Sequence, residues 1–199
     1  MTGSGEPPSE AAQEEAKLVA RIAARDPEAL RIAIGQHATL LHRIAYRMIG
    51  DAHEAEDIAQ EAMLRLWDHA PRLDARVKQG TRVQLGAWLK RVTTNLAIDR
   101  IRVAKRSADS EVPERADDAP LADAQLVTSE DGHSARALIA QMPERQRAAI
   151  VLTYYEELPN AEAADALDMN IKAFESLLHR ARGALRKAFE ALETEGSAA

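Results

Sequence analysis

The chain has 199 residues, no cysteine, 46% hydrophobic residues and a formal net charge of -6. The lack of cysteine excludes disulfides, thiolate metal sites and cysteine nucleophiles. No apolar run approaches the roughly 20 residues that cross a bilayer, and the polar, acidic start MTGSGEPPSEAAQEEAK is unlike an export signal, so a cytoplasmic protein without membrane insertion is expected.

Few glycines and prolines among abundant Ala, Leu, Arg and Glu favour helices throughout. Residues 1–15 read as a disordered tail, entering a first helix signal from about Glu14 to Ala24. A second runs from Pro27 to Ile49, with Asp26 as N-cap and Pro27 in the first turn, and Gly50-Asp51 closes it and caps the next. From Ala52 to His69, Ala55, Ile58, Ala59, Ala62, Met63 and Leu66 recur at three- and four-residue intervals and form a core stripe. The opposite side carries Asp57, Gln60, Glu61, Leu64 and Asp68. That pattern suits either a solvated face with one exposed leucine or a docking face for a basic, partly apolar partner. Acids beside His53 in the first turn are favoured by the helix dipole, so no metal site is expected there.

Charge is then strongly segregated. Residues 71–106 hold ten bases and two acids, and residues 107–134 hold eight acids and one base. The negative total therefore leaves room for a polyanion on one surface. The next helix signal runs from about Leu85 to Arg106, with Leu85, Trp88, Leu89, Val92, Leu96 and Val103 on its apolar stripe. Asp99 falls on the same stripe, so an arginine is expected to meet it: Arg102, Arg43 or Arg47. Lys90, Arg91, Thr94, Ile98, Ile101 and Lys105 point the other way with Asn95 on the flank, suiting either a solvated face or a nucleic-acid surface.

Residues 107–129, acidic and carrying Pro113 and Pro120, read as a flexible linker. Beyond it lie helix signals at Ser134 to Gln141, Pro143 to Glu156, Asn160 to Leu167, and Ile171 to about Leu192. The last two, joined by Asp168-Met169-Asn170, have the layout of a helix-turn-helix, with Asn170 as N-cap and Asp168 where the turn needs a positive φ. Ile171, Phe174, Leu177, Leu178, Ala181, Leu185 and Ala188 are expected inside; Lys172, Ser176, His179, Arg180, Gly183 and Lys187 face outward, as a recognition helix would. Arg182 and Arg186 flank that face. A hairpin used only for packing would have the same layout. The expected fold is all-α, two small helical domains joined by the linker.

Three stretches in this order, EAEDIAQEAMLRLWDHA, AWLKRVTTNLAIDRIR and MPERQRAAIVLTYYEELPNAEAADALDMNIKAFESLLHRARGALRKAF, closely resemble the extracytoplasmic-function (group four) sigma factors of bacterial RNA polymerase. The resemblance implies that residues 16–106 are sigma region two and residues 130–192 region four, with 193–199 a tail. It implies that Asp57, Gln60, Glu61 and Leu64 dock on the clamp helices of the polymerase beta-prime subunit, and that the beta flap is a further contact. Lys90, Arg91, Thr94, Asn95 and Ile98, with a loop from about Pro71 to Gly86, would recognise and open the minus-ten promoter element. Lys172, Ser176, His179, Arg180, Arg182 and Lys187 would read the minus-thirty-five element in duplex DNA, with Asp99 and Arg102 in a structural role. An anti-sigma factor is an implied partner. No catalytic residue, metal or cofactor is implied. The chain departs from the usual motif at Pro159-Asn160 and Asp168, where serine-tyrosine and glycine are usual, and in a longer, more basic loop, LDARVKQGTRVQLG. Two alternatives stand beside this reading: a stand-alone helix-turn-helix regulator, and a helical hydrolase using Asp57 or Asp99 with His53, for which the spacing offers no acid–base geometry.

Overall fold

A computed structural model describes residues 9–108 and 130–196. The expected tail at residues 1–8, the linker from 109 to 129 and the last residues from 197 lie outside these. The first block comprises α1 (Glu10–Ala23), α2 (Pro27–Ile49), α3 (Ala52–Lys78) and α4 (Leu85–Ala108). The second comprises α5 (Glu130–Gln141), α6 (Glu144–Ile150), a π-helical turn (Val151–Tyr155), α7 (Asn160–Ala166) and α8 (Ile171–Gly196). There is no strand among the described residues.

The caps expected from the sequence form. Asp26 accepts the N–H groups of Glu28 and Ala29 at 2.9 and 3.4 Å, and Asp51 accepts that of Glu54 at 2.8 Å. Gly50 closes α2 in the left-handed region, at φ 86°, where a Cβ would be strained. The expected tail is shorter than residues 1–15, because Ser9 caps α1 and helix begins at Glu10. At the other end α8 runs through Glu193 to Gly196, where a tail was expected.

The loop expected from Pro71 to Gly86 is largely absent, since α3 continues to Lys78 with Pro71 inside it. Ala70 and Leu73 extend the buried stripe of Met63 and Leu66, so core packing outweighs the hydrogen bond that proline cannot make. The Trp67 carbonyl, which a residue at position 71 would ordinarily hold, instead accepts Arg25 Nη1 at 2.9 Å. The Arg25 guanidinium also lies 5.0 Å from the centre of the Trp67 ring. Arg25 itself sits at φ 64°, in the turn between α1 and α2.

One core belongs to the first block alone and includes Val19, Ile22, Leu41, Leu66, Leu85 and Leu89. The other is shared: Ile44, Met48, Ile58 and Ile101 pack in the same cluster as Ile150, Leu152, Leu167 and Phe174. The two blocks thus meet through α2 and α4 on one side and α6, the π-helical turn and α7 on the other. The linker joins blocks that are already packed together.

Candidate partner and nucleic-acid interfaces

On α3 the side opposite the core is open. Asp57 and Gln60 are exposed, and Leu64 is 59% exposed. Glu61 holds Arg65 at 2.8 Å, and Gln60 donates to Glu56 at 3.1 Å, so these polar contacts stay within the helix. Glu54, in the first turn, is taken by Arg100 at 2.6 Å. The face is therefore acidic, with a protruding leucine at its centre.

The N-terminus of α4 is held by a residue that local sequence did not single out. Glu15 of α1 accepts the Leu85 N–H at 2.6 Å, capping the helix from 70 positions away. Beside it His37 is partly buried, and that burial pushes its pKa below the ordinary histidine value; Glu15 opposes the shift and Lys90 adds to it.

The outward face expected on α4 is covered. Thr94 is fully buried, Ile98 is 3% exposed and Lys90 is buried with its ammonium 2.6 Å from Glu162 of α7. Arg91 reaches Asp168 at 3.3 Å. Of the five residues expected on the minus-ten face, Asn95 alone is exposed, and Arg91 is partly so. The helix is thus buried on two sides, by its own block through Leu85 and Leu89 and by the second block through Ile98 and Ile101.

Asp99 corrects the sequence expectation. It is exposed rather than turned inward, and of the arginines expected to meet it Arg102 does so, in a loose ion pair at 3.8 Å. The shorter contact of Arg102 is its donation to Glu144 of α6 at 2.9 Å, which helps hold the Glu144 carboxyl below its usual pKa after the backbone N–H of Glu144 itself. Val103, placed on the same inward stripe, is 49% exposed. A seven-residue step drifts by about 20° on a straight helix, and burial in the second half of α4 follows Ala97, Ile98 and Ile101. Arg43 and Arg47, the other candidates for Asp99, converge on Glu156. Arg43 grips it through two nitrogens at 2.6 and 2.9 Å, and Arg47 holds its other oxygen at 2.7 Å. The Glu156 side chain is fully buried. The π-helical turn sets it there: the Glu156 N–H donates to Val151, five residues back, while Tyr155 offers Arg47 its carbonyl at 2.8 Å and its ring at 4.9 Å. Arg147 completes the join, donating to the Met48 carbonyl at 2.6 Å and to that of Ala140.

In the second block Asn170 caps α8 through the Ala173 N–H at 2.9 Å, and Asp168 adopts φ 52° in the turn. Arg145 donates to the Leu167 carbonyl at 2.8 Å and fixes the end of α7. Lys172, Ser176, His179, Arg180, Arg182 and Lys187 are all exposed on α8. Ile171, expected inside, is 45% exposed, because at the first turn it lies at the edge of the packed stripe led by Phe174. His179 and Arg182 also border an apolar groove that includes Tyr154, Leu185 and Phe189. The residues missed by sequence reasoning are Glu15 and the acids that face the other block: Glu144, Glu156 and Glu162. One signal available in the sequence was the position of Glu156 beside Tyr154 and Tyr155, matched by two arginines one turn apart on α2.

The profile of the family Sigma-70 region 2 matches residues 33–107, and that of Sigma-70, region 4 matches residues 133–185. The chain is 32% identical over 182 residues to the ECF RNA polymerase sigma factor SigW of Bacillus subtilis (strain 168), covering 86% of this chain and 94% of that protein. Its fold resembles that of CnrH in complex with the cytosolic domain of CnrY, with a TM-score of 0.62, 21% identity, and coverage of 88% and 97% of the two chains. It also resembles RpoE in complex with the anti-sigma factor NepR from Bartonella quintana, with a TM-score of 0.59, 19% identity, and coverage of 80% and 96%.

Proposed function

Since the chain belongs to the extracytoplasmic-function sigma factors of the sigma-70 family, we propose how its surfaces divide the work of promoter-specific initiation with core RNA polymerase. The first block acts as region two, within residues 16–106, and the second as region four, within residues 130–192. The observation that carries the assignment is the exposed acidic face of α3 with Leu64 at its centre, a surface that offers a basic partner both charge and an apolar anchor. Asp57, Gln60, Glu61 and Leu64 dock on the beta-prime clamp helices. The exposed cations of α8 supply phosphate contacts on the minus-thirty-five duplex, and Lys172, Ser176 and Arg180 near its N-terminus read base edges. Lys90, Arg91, Thr94, Asn95 and Ile98 take the strand-separated minus-ten element, where cations and small side chains meet an unstacked strand. The polymerase carries out the covalent chemistry. The beta flap contacts region four, an anti-sigma factor holds the chain inactive, and the protein works in the bacterial cytoplasm.

The test is reconstitution. Added to sigma-free core polymerase, the chain is expected to start transcription at specific promoters; tight, polymerase-independent binding to a palindrome without initiation would favour a stand-alone regulator instead. Asp57→Lys with Glu61→Lys is expected to weaken binding to core by tenfold or more, on the order of 1.4 kcal/mol, while duplex binding by region four stays unchanged. Full retention on core in a pull-down removes the docking assignment.

A further inference from the structure

The basic face of α4 is covered by a row of acids. Glu162, Asp165 and Asp168 follow one another at three-residue steps along α7 and its closing turn, which places them on one side. Glu162 holds Lys90 at 2.6 Å and Asp168 reaches Arg91 at 3.3 Å. Asp165 and Asp168 also form one wall of a cleft whose other wall is Arg76, Arg82, Trp88 and Arg91. A line of carboxylates against cations beside an aromatic ring offers the same contacts as the phosphates of a nucleic-acid strand.

The covered surface has the marks of one that serves a second partner. Thr94 is fully buried and its hydroxyl has no hydrogen bond in this arrangement, as is also true of its neighbour Thr93. The Asp168 side chain is 77% exposed, so its ion pair with Arg91 is open to solvent, screened by salt and individually weak, whereas Lys90 is buried beneath a half-exposed Glu162 and depends on that carboxylate in the closed form. The same packing is latched at a second point, where Arg43 and Arg47 hold the buried Glu156.

We propose that α7 and its turn act as an intramolecular mimic of the promoter strand, so that the closed chain masks its own minus-ten face and DNA binds there only after the second block leaves α4. The inference rests on the minus-ten reading of α4. In the closed chain, affinity for single-stranded DNA falls in proportion to the fraction that is open. Neutralising the acids raises that fraction without touching the cations.

Thr39→Cys on α2 and Glu190→Cys on α8, both at exposed positions, give the only two thiols for dye labelling, because the natural chain has none. The experiment compares this labelled full chain with a form carrying Glu156→Gln, Glu162→Gln, Asp165→Asn and Asp168→Asn. It reads the inter-block distance by energy transfer, and binding of an unlabelled chain to a fluorescein-labelled random-sequence DNA single strand by anisotropy. Helix content by circular dichroism checks folding, and a form without the Glu156 change keeps the comparison if the fourfold variant does not fold. The expected result is lower energy transfer with binding about tenfold tighter, a gain that shrinks at high salt and is lost when Lys90→Gln and Arg91→Gln are added. Unchanged energy transfer overturns the proposal, since these acids would then not hold the closed form. Opening without tighter binding also overturns it: if Lys90→Gln and Arg91→Gln still weaken binding, the mask alone fails, and if they have no effect, the minus-ten reading fails with it.

Discussion

At the residue scale, Glu156 shows how a charge becomes structural. Its fully buried carboxylate is satisfied by two arginines that are themselves partly exposed, so the pair has good geometry on one side and water on the other. Replacing the carboxylate by an amide leaves a single acceptor oxygen for two guanidiniums and sets an N–H2 donor against them. Glu156→Gln is expected to weaken packing of the second block on the first by about 2–3 kcal/mol, measured by hydrogen exchange of the α6 and π-turn amides. His37 gives a pH signature. Burial lowers its folded-state pKa, so the unfolded chain binds the proton more readily. Stability is therefore full above the ordinary histidine value and falls as pH drops below it, until the folded form also takes the proton. Glu15 and Lys90, on opposite sides of the balance, tune that window. In His37→Gln, the loss of stability between neutral pH and the mildly acidic range, followed by urea unfolding, is expected to be smaller.

At the element scale, α3 is a helix that passes through a proline because its neighbour repairs the gap. Arg25 takes the Trp67 carbonyl that Pro71 leaves free, and stacks on the same residue's ring. Arg25→Ala keeps a Cβ at the left-handed turn, so it removes these contacts without changing the backbone cost. The expected loss is about 1–2 kcal/mol. In a Pro71→Ala background residue 71 can donate to Trp67, and the loss should shrink by roughly 1 kcal/mol, a coupling that a double-mutant cycle of urea midpoints reads directly. Additive effects would mean that Arg25 acts independently of the proline. The helix caps needed no such help from distant sequence. Asp26, Asp51 and Asn170 satisfy N–H groups two or three residues ahead, a relation that a short window of sequence already contains.

At the scale of the whole molecule, the shared core turns two sequence domains into one packed body. Ile101 of α4 lies in the same cluster as Phe174 of α8, and Arg147 binds the Met48 carbonyl across the join. The described chain is expected to unfold in one urea transition, with tryptophan fluorescence from Trp67 and Trp88, both in the first block, coinciding with exchange of amides in the second. Separate midpoints would mean that the blocks are independent folding units. The same closure brings α4 and its acidic cover within reach of regulation, since any partner that binds the open form better shifts the balance.

The sequence by itself determined the helices, their caps, the helix-turn-helix turn at Asp168, the acidic leucine-bearing face of α3 and the exposed cations of α8. All of these follow from spacing within a few residues, through the 3.6-residue period and local hydrogen bonding. Only the tertiary structure decided that α3 continues past Pro71, that Asp99 faces water, that Arg43 and Arg47 serve Glu156 and that Lys90 and Thr94 are covered. Those outcomes depend on partners more than 40, and for Glu156 more than 100, positions away. Periodicity identifies the faces of a helix but not what covers each of them. On α4 both are covered, one by its own bundle and the other by the acids of α7.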